Sequence, residues 1–112
     1  MSKTTLVIGA SEKPDRYANI AINRLVDAGI TTYAYGNKEG TVRGVQILTA
    51  IPKSVAIHTV TLYVSAKNLS TDLQNEIIEL QPKRIIFNPG TENSVFENRL
   101  SKAGIFFEHA CT

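Results

Sequence analysis

The stretch Leu6-Val7-Ile8-Gly9-Ala10-Ser11-Glu12-Lys13-Pro14-Asp15-Arg16 decides the fold. A short β-branched run ends on a glycine, and a small polar turn then opens a helix-length amphipathic segment. Asp15 is the candidate N-cap of that helix. Tyr17, Ala21, Leu25 and Ala28 recur at i, i+4, i+8 and i+11, and Gly29 stops the pattern. The strand–turn–helix order then returns along the chain without any repeat of sequence. Further strands are expected over 31–35, 59–64, 84–87 and 105–107. One helix is expected over 70–80, with Leu73, Ile77 and Leu80 on one stripe and Pro82 beyond its end. Another is expected over 94–103, stopping at Gly104. The runs at 5–8 and 84–87 are almost continuously apolar, as in strands covered on both faces of a parallel sheet. Right-handed βαβ crossovers follow from that alternation. The expected architecture is α/β: a doubly wound, mostly parallel sheet of five main strands with helices on both faces. The segment from Gly36 to Pro52 breaks the rhythm. Gly36, Gly40 and Gly44 read as loop there, with Val45-Gln46-Ile47 as a candidate short edge strand.

Composition agrees with one folded domain over residues 1–112 and excludes several classes. Apolar residues make up 43% and charged residues 20%, so the chain lacks the signature of disorder. Twelve Lys and Arg against ten Asp and Glu leave a net charge of +2, too little for a duplex-binding surface. No apolar run is long enough to span a membrane, and no secretory apolar region follows Met1. A single cysteine, Cys111, excludes an internal disulfide framework and a multi-cysteine zinc site. A small, soluble, cytoplasmic domain with no nucleic-acid or membrane partner is the expectation.

In such sheets, ligands bind beyond the carboxyl ends of the strands, where strand order reverses. Four turns meet that rule: 9–14, 36–38, 65–67 and 88–91. Gly9 lets backbone approach a ligand closely, and a branched side chain there is expected to fill the space of a pyrophosphate. The helix behind it offers unpaired N–H groups and a positive dipole end, which suit phosphate. Ser11 adds a hydroxyl, and Lys13 and Arg16 add two cations. The dinucleotide fingerprint G-x-G-x-x-G would need glycines where Ser11 and Pro14 stand. An NAD site also needs a carboxylate at the end of the second strand. That strand runs out through Tyr35, Gly36, Asn37 and Lys38, and Asp27 lies back in the helix. Glu39 is the one nearby acid, beside Lys38. A cation at this point suits an additional phosphate, as in NADP or coenzyme A, and disfavours NAD.

The residues 6–16 resemble the opening of the small single-domain CoA-binding proteins. Their Rossmann-like fold also forms the N-terminal domain of the succinyl-CoA synthetase α subunit. The resemblance extends through the glycine-rich loop 36–44, the strand ending Tyr63-Val64, the Pro89-Gly90 turn and the last strand leading to Cys111. It implies a pyrophosphate near Gly9, Ala10 and Ser11, with Asn37 and Lys38 on the ADP end. It further implies adenine or pantetheine packing along Val64, Ser65 and Ala66, and a pantetheine arm near Asn88, Pro89 and Gly90. Many relatives carry arginines where this chain has Ser65 and Ala66. Lys67 is the candidate substitute, although lysine does not reproduce arginine's forked geometry on phosphate. Relatives also usually continue a little beyond the position of Thr112, so a contributing terminal segment is expected to be absent.

Catalytic constellations are thin. His109 and Cys111 share a face of an extended segment, which would suit a thiol–imidazole pair, but no third group or oxyanion hole accompanies them. His58 precedes its strand and falls on the opposite sheet edge. Glu12, Glu92 and Glu108 are acids near the expected site, and Glu92 reads as a cap on a helix dipole. Metal-ligand spacing and a Walker motif are both lacking. The leading expectation is a non-catalytic module for coenzyme A or an acyl-CoA, acting as sensor or carrier. An NAD(P)-binding redox module is the first alternative. An accessory domain that docks a partner protein, or pairs as a homodimer, is the second.

Overall fold

The computed structural model describes residues 3–111, so Met1, Ser2 and Thr112 lie outside the described residues. Seven strands form one sheet: β1 (Thr5–Ile8), β2 (Thr32–Tyr35), β3 (Gly40–Val42), β4 (Val45–Leu48), β5 (Thr59–Leu62), β6 (Arg84–Phe87) and β7 (Phe107–His109). Three helices connect them: α1 (Tyr17–Asp27), α2 (Thr71–Glu79) and α3 (Ser94–Ala103). The strand order is β3-β4-β2-β1-β5-β6-β7, parallel throughout except for the β3–β4 hairpin. The order reverses between β1 and β5, which makes their carboxyl ends the switch point. No helix among the described residues is long and apolar enough to cross a membrane.

Strand alternation divides the core in two. Leu6, Ile8, Val60, Leu62, Ile85 and Phe87 point to the face covered by α2 and α3, where Leu73, Ile77, Phe96 and Leu100 meet them. Val7, Ala34 and Ile47 point to the other face, against Ala18, Ile22 and Leu25 of α1. The central strands are therefore enclosed on both sides, which is why β1 and β6 run almost continuously apolar. Strand β5 instead alternates Val60 and Leu62 with the buried Thr59 and Thr61. Helix ends follow local chemistry. Ser70 caps α2 through Leu73 N–H at 3.1 Å, and Asn93 caps α3 through Phe96 N–H at 3.1 Å. Gly104 closes α3 in the left-handed region at φ 73°.

Five expectations change. Helix α1 is preceded by Arg16 at the N-cap, with no side-chain cap, so Asp15 does not hold that place. Its buried stripe is Ala18, Ala21, Ile22 and Leu25, while Tyr17 is 79% exposed. In that first turn Ala18, not Tyr17, takes the place against the sheet, and the Tyr17 ring is left to solvent. The final strand lies at 107–109 because Ile105 N–H is spent on Leu100 O, closing α3. Strand β5 stops at Leu62, two residues short of Val64. Finally, the 36–52 segment holds a β-hairpin, not loop with one short edge strand. Arg43 (φ 52°) and Gly44 (φ 80°) make a two-residue turn between β3 and β4, both in the left-handed region that hairpin turns of this type require. Strand β4 pairs with β2, so the edge belongs to β3, and the five main strands become seven.

Candidate functional site

A cleft of about 810 Å³ opens at the switch point. That volume lies within the range of small-molecule and cofactor sites. Gly9, Ala10, Ser11, Lys13, Arg16, Tyr35, Asn37, Lys38 and Val64 line it, so the structure brings nine of the expected residues together. Ser65, Ala66, Asn88, Pro89 and Gly90 do not line it.

The loop after β1 is held from several sides. Asn19, buried on α1, donates its amide to Ser11 O at 3.0 Å. Lys13 N–H donates to Ser11 Oγ at 3.1 Å, and Arg16 N–H to Lys13 O at 3.1 Å. Gly9 and Ala10 N–H both donate to Tyr35 O at 2.9 Å, which ties the loop to the end of β2. The amides available to an anion thus shift along the chain. Ser11 and Glu12 N–H have no hydrogen-bond partner among the described residues, unlike those of Gly9 and Ala10. The helix behind them starts with unpaired N–H groups, as every helix does. Helix α2 also begins at the cleft, since its cap Ser70 lies in the wall. Two helix N-termini therefore face the same space, alongside Lys13, Arg16 and Lys38. Glu12 and Glu39 supply the opposing charge.

The fold itself requires a glycine at position 9. Its φ is +95°, and a Cβ would lie 2.9 Å from Tyr63 O and 2.9 Å from Val64 Cγ1. The missing side chain leaves room for the end of β5. Gly36 is equally constrained, because a Cβ there would lie 2.5 Å from Ala10 O. The loop after β1 is thus crowded against the end of β5 at Gly9 and against the end of β2 at Gly36, and neither position has room for a side chain.

Several lining residues were not singled out in the sequence. Pro14, Ile47, Tyr63, Asn68, Ser70 and Leu73 belong to the wall. The signal for Asn68 and Ser70 was present in a polar turn immediately before a helix at the carboxyl end of β5. Asn68 also donates to Ser65 Oγ at 3.1 Å, so Ser65 supports the wall from behind. Asn88 turns inward and donates to Thr61 Oγ1 at 2.7 Å and Leu62 O at 2.8 Å.

The histidines and acids weighed for catalysis have structural partners. His109 Nε2 lies 3.2 Å from Glu97 Oε1 and its ring stacks on Phe87 at 5.3 Å. Cys111 is a free, exposed thiol, and neither of those His109 partners is Cys111. Glu92 accepts from Gly90 N–H at 3.1 Å, and Glu108 pairs with Arg84 at 3.5 Å. His58 lies at the opposite sheet edge, its Nδ1 2.8 Å from Thr59 Oγ1. Among the described residues no group of three His, Cys, Asp or Glu could hold a metal ion.

Comparison with known proteins gives a consistent family and fold. The profile of the CoA binding domain matches residues 3–112. No curated protein matches the chain by sequence. A crystal structure of an uncharacterized protein is 40% identical, with a TM-score of 0.92 over 99% of this chain and 91% of its own. A hypothetical protein from Pyrococcus horikoshii OT3 is 27% identical, with a TM-score of 0.86 over 98% of this chain and 78% of its own. The dinucleotide-forming acetyl-coenzyme A synthetase 1 of Ca. Korarchaeum cryptofilum, solved with phosphate and ADP, shares the fold at a TM-score of 0.76. There the identity is 14%, and the match covers 94% of this chain and 25% of that one.

Proposed function

The chain belongs to the CoA binding domain family, and on that premise we propose that it holds coenzyme A or an acyl-CoA in the switch-point cleft as a non-catalytic sensor or carrier. Family membership supports coenzyme A binding in general. The observation that carries the reading further is the exit of β2. Tyr35, Gly36, Asn37 and Lys38 set a cation where an NAD site needs a carboxylate for the ribose hydroxyls. The pyrophosphate would take Ser11 and Glu12 N–H and the α1 N-terminus, with Lys13 and Arg16 as counter-charges. The apolar side chains of Ile47, Val64 and Leu73 suit the adenine or the pantetheine arm. A sensor or carrier role agrees with the candidate acids and His109 each holding a structural partner.

The reading is tested by thermal unfolding with coenzyme A, acetyl-CoA, NAD, NADP and ADP. A ligand at 100 times its Kd stabilises by about 2.7 kcal/mol. Coenzyme A and acetyl-CoA are expected to raise Tm. A rise with NAD and none with coenzyme A contradicts the proposal, and a rise with NADP alone favours the redox alternative.

Lys38 is expected to read the ribose 3′-phosphate. Calorimetric titration of Lys38→Met is expected to show about 1 kcal/mol lost for coenzyme A, and less in high salt, because the lysine is solvent-exposed. Dephospho-CoA is expected to bind both proteins alike. An equal loss for the two ligands, or none for either, removes Lys38 from that phosphate.

A further inference from the structure

We propose that Glu12 is a positioning residue, a clasp that fastens the β3–β4 hairpin to the phosphate loop and so sets the shape of the cleft. The inference rests on the coenzyme A reading for its consequence, but the clasp itself is a property of the free protein.

Two independent features of the hairpin require it. In β3 and β4 the paired residues are Gly40–Ile47, Thr41–Gln46 and Val42–Val45. Across an antiparallel pair, hydrogen-bonded and non-hydrogen-bonded positions alternate, and a two-residue turn makes Val42–Val45 the bonded pair. Thr41 is therefore a non-bonded position, and its N–H points away from β4, off the edge of the sheet. Glu12 Oε2 accepts that N–H at 2.8 Å, from a residue 29 positions away. An exposed edge amide is thus matched to a carboxylate from the β1–α1 loop.

The second feature is Gly40. It has an ordinary φ, so backbone conformation does not demand glycine there. A Cβ at this position would lie 2.5 Å from Glu12 Cδ, 2.7 Å from Cγ and 2.8 Å from Oε2. Gly40 leaves the space that the Glu12 side chain occupies. Arg43, at the turn of the same hairpin, pairs with Asp27 of α1 at 2.8 Å, so the hairpin is pinned at both ends to the β1–α1 unit.

An acid in the wall of an anion cleft would otherwise only repel the ligand. Here its oxygen is directed at backbone, and its cost in charge is offset by the geometry it fixes for Ser11, Lys13 and Lys38 on the two sides of the opening.

The test compares Glu12→Ala, Glu12→Gln, Gly40→Ala and the double variant Glu12→Ala/Gly40→Ala. Both Glu12 variants are neutral, so their difference does not arise from charge; Glu12→Gln keeps the stem and an acceptor oxygen, and Glu12→Ala keeps neither. Gly40→Ala keeps the charge and displaces the carboxylate. In the free protein, exchange of the Thr41 amide is expected to accelerate in Glu12→Ala and Gly40→Ala and to stay slow in Glu12→Gln. For coenzyme A, Glu12→Gln is expected to bind about tenfold more tightly than Glu12→Ala, the effect of one hydrogen bond of ordinary net strength. The double variant is expected to bind no more weakly than Glu12→Ala alone, because the clasp is already open. Equal affinities in Glu12→Ala and Glu12→Gln, both tighter than wild type, would overturn the clasp and make Glu12 a charge barrier. Unchanged Thr41 exchange in Gly40→Ala would overturn it as well. Wild-type protein that binds no coenzyme A defeats the functional reading, while the exchange data still decide the clasp.

Discussion

Gly9→Val is expected to destabilise the domain by about 3–5 kcal/mol, a large share of the stability of a domain this size. Two costs add. The φ of +95° lies in a region that side chains rarely adopt, and β-branched ones least of all. The Cβ would also meet the carbonyl oxygen of Tyr63 at 2.9 Å, and a strand-end backbone atom cannot turn aside as a flexible side chain can. Urea denaturation followed by circular dichroism measures the shift in midpoint. Gly9→Ala is the milder companion, folded well enough for titration. An unchanged midpoint for both variants would mean that the β1–β5 approach is looser than the structure describes. The experiment also separates two roles of this glycine. Because the absent side chain points towards β5, a folded Gly9→Ala protein is expected to bind coenzyme A less well only to the extent that the loop has moved.

Asn88→Ala is the second large effect, a loss of about 2–4 kcal/mol. Asn88 is 3% exposed, and its amide joins the end of β6 to Thr61 Oγ1 and Leu62 O on β5. Its own carbonyl accepts from Thr91 Oγ1 at 2.7 Å and Thr91 N–H at 3.0 Å, which shapes the turn before α3. Truncation leaves buried acceptors short of a donor. Thermal and denaturant unfolding measure the cost, and coenzyme A titration at a temperature where the variant is fully folded measures affinity. The expected pattern is lost stability with affinity changed less than about twofold. A tenfold loss of affinity at intact stability would put Asn88 against the pantetheine arm, as family resemblance implies.

Where local chemistry determines structure, the sequence was legible. The continuous apolar runs at β1 and β6 gave their strands because both faces of the central sheet are covered. The second and third helices were readable at their ends from Ser70, Pro82 and Gly104, residues that cap or stop a helix without outside help. The switch-point rule then located the cleft, since it depends only on strand order and connection. Legibility failed where a distant partner decides. Gly40 looked like a breaker because the reason for it is the Glu12 side chain, remote in sequence. The hairpin did leave one local sign in Val42-Arg43-Gly44-Val45, a two-residue turn between β-branched residues. Tyr17 fits an apolar stripe by spacing alone, yet its neighbour Ala18 holds the place against the sheet and Tyr17 is exposed. The last strand moved two residues along because the amide of Ile105 closes α3, a bond that hydrophobicity does not reveal. The same limit applies in the phosphate loop. The resemblance places a pyrophosphate near Gly9, Ala10 and Ser11, and the sequence does not reveal that the carbonyl of Tyr35 takes the amides of Gly9 and Ala10.

The central claim is that coenzyme A sits in the cleft between the ends of β1, β2 and β5. Backbone amide NMR during a coenzyme A titration tests it most directly. The largest shifts are expected at Ser11, Glu12 and Lys13, then at Asn37 and Lys38, with the amides around His58 and Lys83 at the opposite sheet edge unmoved. Saturable shifts confined to that opposite edge, or no shifts at millimolar coenzyme A, would contradict the account.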